Sequence, residues 1–296
     1  MVSAWPRIAP IKEDTLESGL YIVATPIGHL DDITLRALRI LQEVDLLAAE
    51  DTRHTRKLLQ HHGIERSVAT YHEHSSTASM VAKIQSICAV GGACALVSDA
   101  GTPLISDPGY ELVRAAQDVG IRVVPIPGPS ATIAAVSAAG LPSDRFLFAG
   151  FGPAKDTARR AWLSNFAFES ATLVFYEAPH RIVAMLADAI AVYGGIREAC
   201  ICRELTKTFE TIKRGTLSDL AAFVAQDSNQ QRGEFVVLIK GSDQGRAEFG
   251  QQEQDLLSQI ATYAPPKIAA AMVADYLRLK KKPLYQWLLE SKNSVD

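Results

Sequence analysis

The sequence SDAGTPLISDPG, residues 98–109, directly follows the apolar run ACALV, residues 93–97. The apolar run predicts a buried strand, and the glycines and prolines after it predict a sharp turn before a helix that begins near Pro108. In open α/β sheets, small molecules bind beyond the carboxyl ends of the strands, where side chains such as Asp99 and backbone amides near Gly101 converge. The stretch therefore favours an α/β fold with a ligand-binding loop, although a capped strand-to-helix turn has the same composition.

Two more strand-terminating loops in the N-terminal half contain glycine. The run LYIVA predicts a strand that leads into TPIGHLDD, residues 25–32, and a strand predicted over residues 121–124 leads into PIPGPSA, residues 125–131. Ser130 and the free amides of the helix after it would face an anion such as a carboxylate. Residues 25–32 contain only Gly28, whereas a dinucleotide-binding turn needs G-x-G-x-x-G, which disfavours a nicotinamide cofactor. Three such loops at one sheet edge predict a pocket.

Length and composition indicate a globular protein of two domains. The chain has 296 residues, 48% of them hydrophobic, and a net charge of -3, so no overall basic field points to nucleic acid. No long uncharged apolar run is present, which predicts that no segment spans a membrane. Residues 1–17 lack the apolar core of a signal peptide and are predicted to form a loose extension. We expect reduced thiols and a cytoplasmic location, because no C-x-x-C pair occurs among Cys88, Cys94, Cys200 and Cys202.

Turn and linker composition predicts the domain boundaries. The turn at residues 141–144 separates two α/β domains, over residues 18–141 and 142–241, and the polar stretch 242–253 is interpreted as a linker. Three short helical patterns form a C-terminal appendage over residues 254–296. The predicted architecture is thus two α/β domains with a small helical appendage.

Two further predictions concern local detail in these domains. Residues 208–214 alternate and predict a strand of a mixed sheet. The appendage breaks at KKKP, residues 280–283, in the manner of a helix-turn-helix. We expect Trp287 and Leu288 to pack it as a tail, with RNA contact through the lysines as the alternative.

Possible metal ligands occur in the run Tyr71-His72-Glu73-His74. No third ligand follows at a suitable spacing, so we expect no metal site. The acids of Glu50-Asp51 stand at the end of another predicted strand, where they either bind substrate or, as we favour, cap the next helix and pair with Arg53.

Basic residues are concentrated at loops and element ends of the second domain. Such a concentration would attract a phosphate backbone even in a chain of negative net charge, although solvated surface is the alternative interpretation. The cluster consists of Lys155, Arg159, Arg160, His180, Arg181, Arg203, Lys207, Lys213 and Arg214.

Seven motifs follow one another along the chain. They are ATPIGHLDDITLRAL from Ala24, AEDTRHT from Ala49, SDAGTPLISDPG from Ser98, PGPSA from Pro127, EAPHR from Glu177, RELTKTFE from Arg203 and RGEFVVLIKG from Arg232. In this order they resemble the tetrapyrrole methylase superfamily, and within it the bacterial enzymes that methylate ribose 2′-hydroxyls of small-subunit ribosomal RNA. The resemblance covers about residues 19–241 and is weaker in the C-terminal helices.

This resemblance implies two α/β domains that hold S-adenosylmethionine (SAM) between them, in a homodimer. It implies methylation of a cytidine 2′-hydroxyl in the decoding region of 16S rRNA, on the small ribosomal subunit. The implied cofactor contacts are Pro26, Gly28, Asp99, Ala100, Gly101, Thr102, Ile105, Ser130, Ala131 and Ala178. Among the basic residues, we expect RNA contacts from Lys155, Arg159, Arg160, His180 and Arg181.

Methyl transfer to a ribose hydroxyl requires an in-line attack and removal of a proton from a weak acid. Residues at loop ends that can act as a base or stabilise the alkoxide are Asp99, Glu177, Glu204 and Lys207, and we favour Glu204 or Lys207. Arg203 and Arg181 would hold neighbouring phosphates. Two alternatives are a SAM-dependent tetrapyrrole methyltransferase and a non-catalytic RNA-binding assembly factor.

Overall fold

The computed structural model describes residues 16–72, 75–242, 250–277, 279 and 281–293. Contacts within the chain divide it into two compact units. The first unit contains the described residues up to Ala138 together with Arg203–Thr211. The second contains Ala139–Cys202 and the described residues from Ile212 onward. Residues 203–211, which lie in the second domain predicted from the sequence, are therefore part of the first unit.

The first unit contains a parallel five-stranded sheet in the order β3-β2-β4-β1-β5. Strands of this kind are short and apolar because helices cover both faces. The strands are β1 (Gly19–Val23), β2 (Leu46–Ala49), β3 (Ala69–Thr70), β4 (Ala93–Val97) and β5 (Val123–Ile126). The helices are α1 (Leu35–Glu43), α2 (Thr52–His61), α3 (Thr77–Ala89), α4 (Tyr110–Asp118) and α5 (Ala131–Ala138).

Alternate residues of each strand in this sheet contribute to two separate cores. Tyr21 and Val23 of β1 pack with Ile40 of α1, whereas Leu20 packs with Ile84 of α3. The helices α1 and α2 therefore cover one face, and α3 and α4 cover the other. Two covered faces leave the carboxyl edge of the sheet as the place where loops collect.

The sequence prediction placed the last strand of this sheet two residues too early. The strand β5 runs over Val123–Ile126 because Val123 and Val124 pair with Leu20 and Tyr21 of the central strand. Pro125 suggested a loop, but β5 is an edge strand, where a missing N–H group is tolerated. The helix predicted from Pro108 begins at Tyr110, with Gly109 as its N-cap.

The second unit contains a mixed sheet in the order β6-β7-β10-β8-β9, as the strand pattern predicts. Its strands are β6 (Phe146–Phe151), β7 (Thr172–Glu177), β8 (Glu198–Arg203), β9 (Thr211–Thr216) and β10 (Phe235–Ile239). The helices α6 (Asp156–Ser164), α7 (Ile182–Tyr193) and α8 (Leu217–Gln226) pack on it through Leu163, Leu186 and Leu220. The strand predicted over residues 208–214 begins later, at Thr211, because a tight loop occupies residues 204–210.

Three C-terminal helices have a core of their own: α9 (Gln251–Tyr263), α10 (Pro266–Leu277) and α11 (Lys281–Asn293). Leu284 and Leu288 of α11 pack with Val273 of α10, so packing is the observed role of this face. Pro283 lies in the first turn of α11 and not at a break, a position that proline tolerates. Within the described residues, no helix combines the length and the apolar character that crossing a membrane requires.

Candidate active site

Direct hydrogen bonds join the loops that follow β1, β4 and β5. The Thr25 amide donates to the Gly101 carbonyl at 2.8 Å, and the Gly101 amide donates back at 3.0 Å. The Thr102 hydroxyl donates to the Pro129 carbonyl at 3.0 Å. Gly101 has φ +83°, and a Cβ there would lie 3.3 Å from Ile27, so glycine suits both the turn and the close approach. The structure thus brings three predicted loops together at one sheet edge.

The surface of these loops is mostly backbone and small side chains. Gly28, Asp99 and Ala100 are exposed, Ile105 is 42% exposed, and Thr102, Ser130 and Ala131 are half-buried, whereas Pro26 and Gly101 are buried. Leu104 and Ser106 have positive φ values of 73° and 65°, which non-glycine residues adopt only when the surrounding structure holds them. The loop after β4 is therefore held in an unusual backbone conformation at the place where a ligand would bind.

Asp99 links the loop after β4 to the start of α2. Its Oδ1 accepts the Asp51 amide at 2.8 Å, and its Oδ2 lies 3.3 Å from Nδ1 of His54. Asp51 itself caps α2 by accepting the Arg53 amide at 2.8 Å, and its carboxylate pairs with the Arg53 guanidinium. Hydrogen bonds from Arg53 hold the pKa of Asp51 well below its usual range. This observation supports the capping interpretation of Asp51.

The segment 203–211 packs against the loop after β1 within the first unit. The Thr206 hydroxyl accepts the His29 amide at 3.1 Å. A Cβ on Gly28 would lie 2.5 Å from Cγ of Lys207 and 3.0 Å from the Leu205 carbonyl, so only glycine allows this approach. Buried Arg203 donates to the Phe209 carbonyl at 2.8 Å and closes the segment on itself.

A carboxylate and an ammonium group form a close pair on this segment. Nζ of Lys207 lies 2.9 Å from Oε1 of Glu204, and both side chains are partly exposed. Glu204 and Thr206 have positive φ values of 51° and 65°, so the backbone is constrained where the pair is formed. An open cleft of about 490 Å³ adjoins Lys207. Its lining residues are Gly28, His29, Leu30, Asp31, His61, Thr206, Lys207 and Thr208.

Glu177 in the second unit is only 2% exposed and takes part in a local network. Its Oε1 accepts the Ala178 amide at 2.8 Å and lies 3.0 Å from Nε of Arg181. Burial raises the pKa of Glu177, and the Ala178 amide and the Arg181 charge oppose that effect. Arg181 also donates to the Pro153 carbonyl at 3.1 Å. Glu177 and Arg181 thus shape the loops around half-buried Ala178.

Two of the basic residues predicted to contact RNA share one buried acid. Arg159 is 3% exposed, and its Nη2 lies 2.6 Å from Oδ2 of Asp188, while Nε of Arg160 donates to Oδ1. Arg159 is therefore buried in an ion pair inside the unit and is not exposed for contact with RNA. Lys155 is exposed at the N-cap of α6, and His180 is exposed after β7.

Several important residues were not singled out in the sequence. Thr25 and Thr206 hold the loops together through hydrogen bonds between positions far apart in the chain. Asp188 could have been recognised, because it is the one charged residue in the apolar helix sequence IVAMLADAIAVY. A lone acid on a buried helix face indicates a buried partner.

A parallel sheet with small-residue loops joined at its carboxyl edge defines a small-molecule-binding α/β protein. Residues 19–221 match the family model of the tetrapyrrole (corrin/porphyrin) methylases, and residues 248–292 match the model described as the RsmI C-terminal HTH domain. The chain belongs to the tetrapyrrole methylase family, and within it to the group of small-subunit ribosomal RNA methyltransferase I proteins.

Two relatives in that group illustrate the similarity. The chain is 52% identical over 276 residues to ribosomal RNA small subunit methyltransferase I of Pseudomonas aeruginosa, covering 92% of this chain and 96% of the relative. It is 48% identical to the protein of the same name from Escherichia coli O157:H7, covering 94% and 96%. Uroporphyrin-III-C-methyltransferase from Thermus thermophilus shares the fold, with a TM-score of 0.54, 18% identity, and coverage of 75% of this chain and 94% of that one.

Proposed function

We propose that this protein is a SAM-dependent methyltransferase that methylates the ribose 2′-hydroxyl of a cytidine in the decoding region of 16S rRNA. The observation that carries the proposal is the 52% identity, over nearly the whole chain, to a relative named for methylation of small-subunit ribosomal RNA. The acceptor atom and the cytidine come from the seven sequence motifs and are the finer part of the proposal.

The joined loops suit a cofactor with amino, carboxylate and hydroxyl groups. Their exposed backbone amides and carbonyls offer donors and acceptors, and Ser130 begins α5 with its carbonyl bonded to the Ala134 amide, which leaves first-turn amides for a carboxylate. Bound SAM would supply an activated methyl group on a sulfonium. The residues of the first unit that would hold it are Pro26, Gly28, Asp99, Ala100, Gly101, Thr102, Ile105, Ser130 and Ala131.

Asp99 can serve both the fold and the cofactor. Each carboxylate oxygen has two acceptor sites, and the bonds to the Asp51 amide and toward His54 use one site on each oxygen. The remaining acceptor capacity of Asp99 would accept a hydroxyl or an amine. Because its side chain is 36% exposed, a ligand at the sheet edge can reach it.

Glu204 and Lys207 would perform the proton chemistry. The Glu204 carboxylate holds the Lys207 ammonium at 2.9 Å, so a fixed cation faces the cleft and would stabilise the forming alkoxide. Glu204 would accept the hydroxyl proton as that charge develops. Arg203 contributes by fixing the loop, since its guanidinium donates to the Phe209 carbonyl at 2.8 Å.

The partners follow from this acceptor. Exposed Lys155 and His180 would contact phosphates, together with the part of Arg160 that its ion pair leaves accessible. Arg159 and Arg181 would act mainly through the loops that they hold. We further propose a homodimer that acts in the cytoplasm, where assembled small subunits are found.

The experiment is transfer of labelled methyl from SAM to small subunits isolated from cells that lack this modification. We expect label on a decoding-region cytidine, resistant to alkaline cleavage at that nucleotide because the 2′-oxygen is blocked. Label on a base would refute the ribose assignment. Absence of label on subunits and on their free RNA, despite measurable SAM binding, would refute the RNA assignment and favour a tetrapyrrole acceptor.

A further inference from the structure

Three histidines surround one aspartate beside the cleft of the first unit. Nε2 of His61 lies 2.9 Å from Oδ1 of Asp31, and Nδ1 of His29 lies 4.0 Å from Oδ2 of Asp31. The His62 ring meets the His61 ring edge-on, with centroids 4.8 Å apart. Ligand atoms of Asp31, His61 and His62 all lie within 4.8 Å of one another. Residues 30 positions apart in sequence thus present oxygen and nitrogen ligands to one point.

The hydrogen bonds leave suitable nitrogens for a cation. Nε2 of His62 lies 3.0 Å from the Leu30 carbonyl, which requires a proton on that nitrogen, so His62 would bind a cation through Nδ1. A hydrogen bond of this type, from one ring nitrogen to a backbone carbonyl, is typical of histidines that bind metals through the other nitrogen. His61 donates Nε2–H to Asp31 without a metal. A shift of that proton to Nδ1 would leave the Nε2 lone pair for the cation.

Two surrounding features favour positive charge at this point. His61 is the last residue of α2 and His62 is its C-cap, so carbonyls with partial negative charge end beside them. The Asp31 carboxylate has histidines as its neighbours, and its Oδ1 lies within hydrogen-bond distance of His61. The cluster opens onto the cleft lined by His29 and Lys207, where water or an anionic oxygen can complete a coordination shell.

A second cluster in the same unit lacks these properties. Asp51, His54 and Asp99 also bring their ligand atoms together. The Arg53 guanidinium, however, contacts both Asp51 oxygens at 2.5–3.0 Å, so a positive charge already occupies that carboxylate. A divalent cation would have to displace Arg53, whereas no such displacement is needed at Asp31.

We propose that Asp31, His61 and His62 bind a zinc ion, with an open coordination position that faces the cleft. Two imidazoles and one carboxylate are a ligand set that zinc accepts in tetrahedral geometry, with water or substrate in the fourth position. The backbone amide of Asp31 donates to Nδ1 of His29 at 3.3 Å, so His29 helps to position Asp31. The sequence predicted no metal site because the run at residues 71–74 offers no third ligand, and Glu73 and His74 of that run lie outside the described residues. Asp31 lies 30 positions from His61, so this cluster forms no sequence motif. This inference does not rest on the proposed methyltransferase function.

The test is zinc binding by the full chain after treatment with a chelator, followed by titration calorimetry and by cobalt absorption spectroscopy. We expect one zinc per chain and an intense visible cobalt band, which marks a four- or five-coordinate site. The variants Asp31→Asn and His61→Gln should each weaken zinc binding at least about tenfold. His54→Gln, on the same helix but in the second cluster, is the matched control and should bind zinc as the wild type does.

Three results would overturn the proposal. These are no stoichiometric zinc binding, unchanged affinity in both Asp31→Asn and His61→Gln, or a loss of affinity confined to His54→Gln. The affected side chains are exposed or half-buried, and circular dichroism of each variant checks that the fold is kept. The cobalt spectrum of the wild type provides a measurement that does not depend on any variant.

Discussion

Charged residues differ in their surroundings between the two units. In the second unit, Arg159 of α6 pairs with Asp188 of α7, and Glu177 at the end of β7 pairs with Arg181. These buried pairs hold loops and helices in place. In the first unit, Asp99 and the pair of Glu204 and Lys207 stay partly exposed, on loops whose backbone adopts left-handed conformations. Residue type therefore does not distinguish the two groups, whereas burial and backbone conformation do.

The same contrast changes how the basic cluster is understood. A local excess of arginine in sequence suggested an RNA surface on the second unit, yet Asp188 neutralises Arg159 and pairs with Arg160. In the first unit, Lys207 is also paired, but its pair borders an open cleft. Whether a cation can meet a substrate depends on where its counter-ion lies.

Removal of Asp188 tests the supporting role of charges in the second unit and should have the largest effect. The substitution Asp188→Ala leaves the Arg159 guanidinium buried without its carboxylate, which typically costs about 3–5 kcal/mol of unfolding free energy. Urea denaturation followed by circular dichroism measures this loss. Arg160→Ala, at a side chain that is 56% exposed, should cost under about 1 kcal/mol. If Asp188→Ala lowered the unfolding free energy as little as Arg160→Ala, the buried ion pair would not support the fold as proposed.

Removal of the Lys207 charge tests the opposite role in the first unit. Lys207→Met keeps much of the alkyl packing against Gly28 but removes the ammonium, and kcat for methyl transfer should fall about 10²–10³-fold. SAM affinity and thermal stability should change little. Lys83→Met, an exposed lysine on α3, is the matched control. Full activity of Lys207→Met, or a defect confined to stability, would show that this pair also only supports the fold.

Replacement of Asp99 separates its two roles and should have the smallest effect of the three. Asp99→Ala removes a charged hydrogen-bond acceptor and should weaken SAM binding about 10- to 100-fold, since such a bond contributes about 1.5–3 kcal/mol. Asp99→Asn keeps an acceptor for the Asp51 amide and isolates the effect of charge. Calorimetric titration with SAM measures both, with Asp118→Ala at the end of α4 as control. Unchanged SAM affinity in a folded Asp99→Ala variant would show that Asp99 only holds the loop in place and does not bind SAM.

Much of the fold and the convergence of loops could be predicted from the sequence because both depend on local patterns. Apolar runs that end in glycine and proline marked strands β1 and β4 correctly, and parallel topology brings their carboxyl ends to one edge. Pro125 misled the assignment of β5, because tolerance of proline depends on edge position, which is a property of the whole sheet.

Contacts over long sequence separations could not be predicted. Nothing in the local sequence shows that Thr206 bonds to His29, or that Arg159 faces Asp188 across two helices. The backbone strain at Glu204 was equally hidden, since a non-glycine residue in the left-handed region is held there by its surroundings. The sequence singled out Glu204 and Lys207 as candidates, but it did not predict that they belong to the first unit.

Residues 203–211 belong to the first unit but are synthesised long after the rest of it. The His29 amide and the Thr206 hydroxyl are separated by 177 residues. A ribosome that adds about 5–20 residues per second needs about 9–35 s to cover that distance. The nascent chain can therefore complete its first sheet well before the segment that carries Lys207 is synthesised. For most of its synthesis, the protein lacks the cleft residues that this segment contributes.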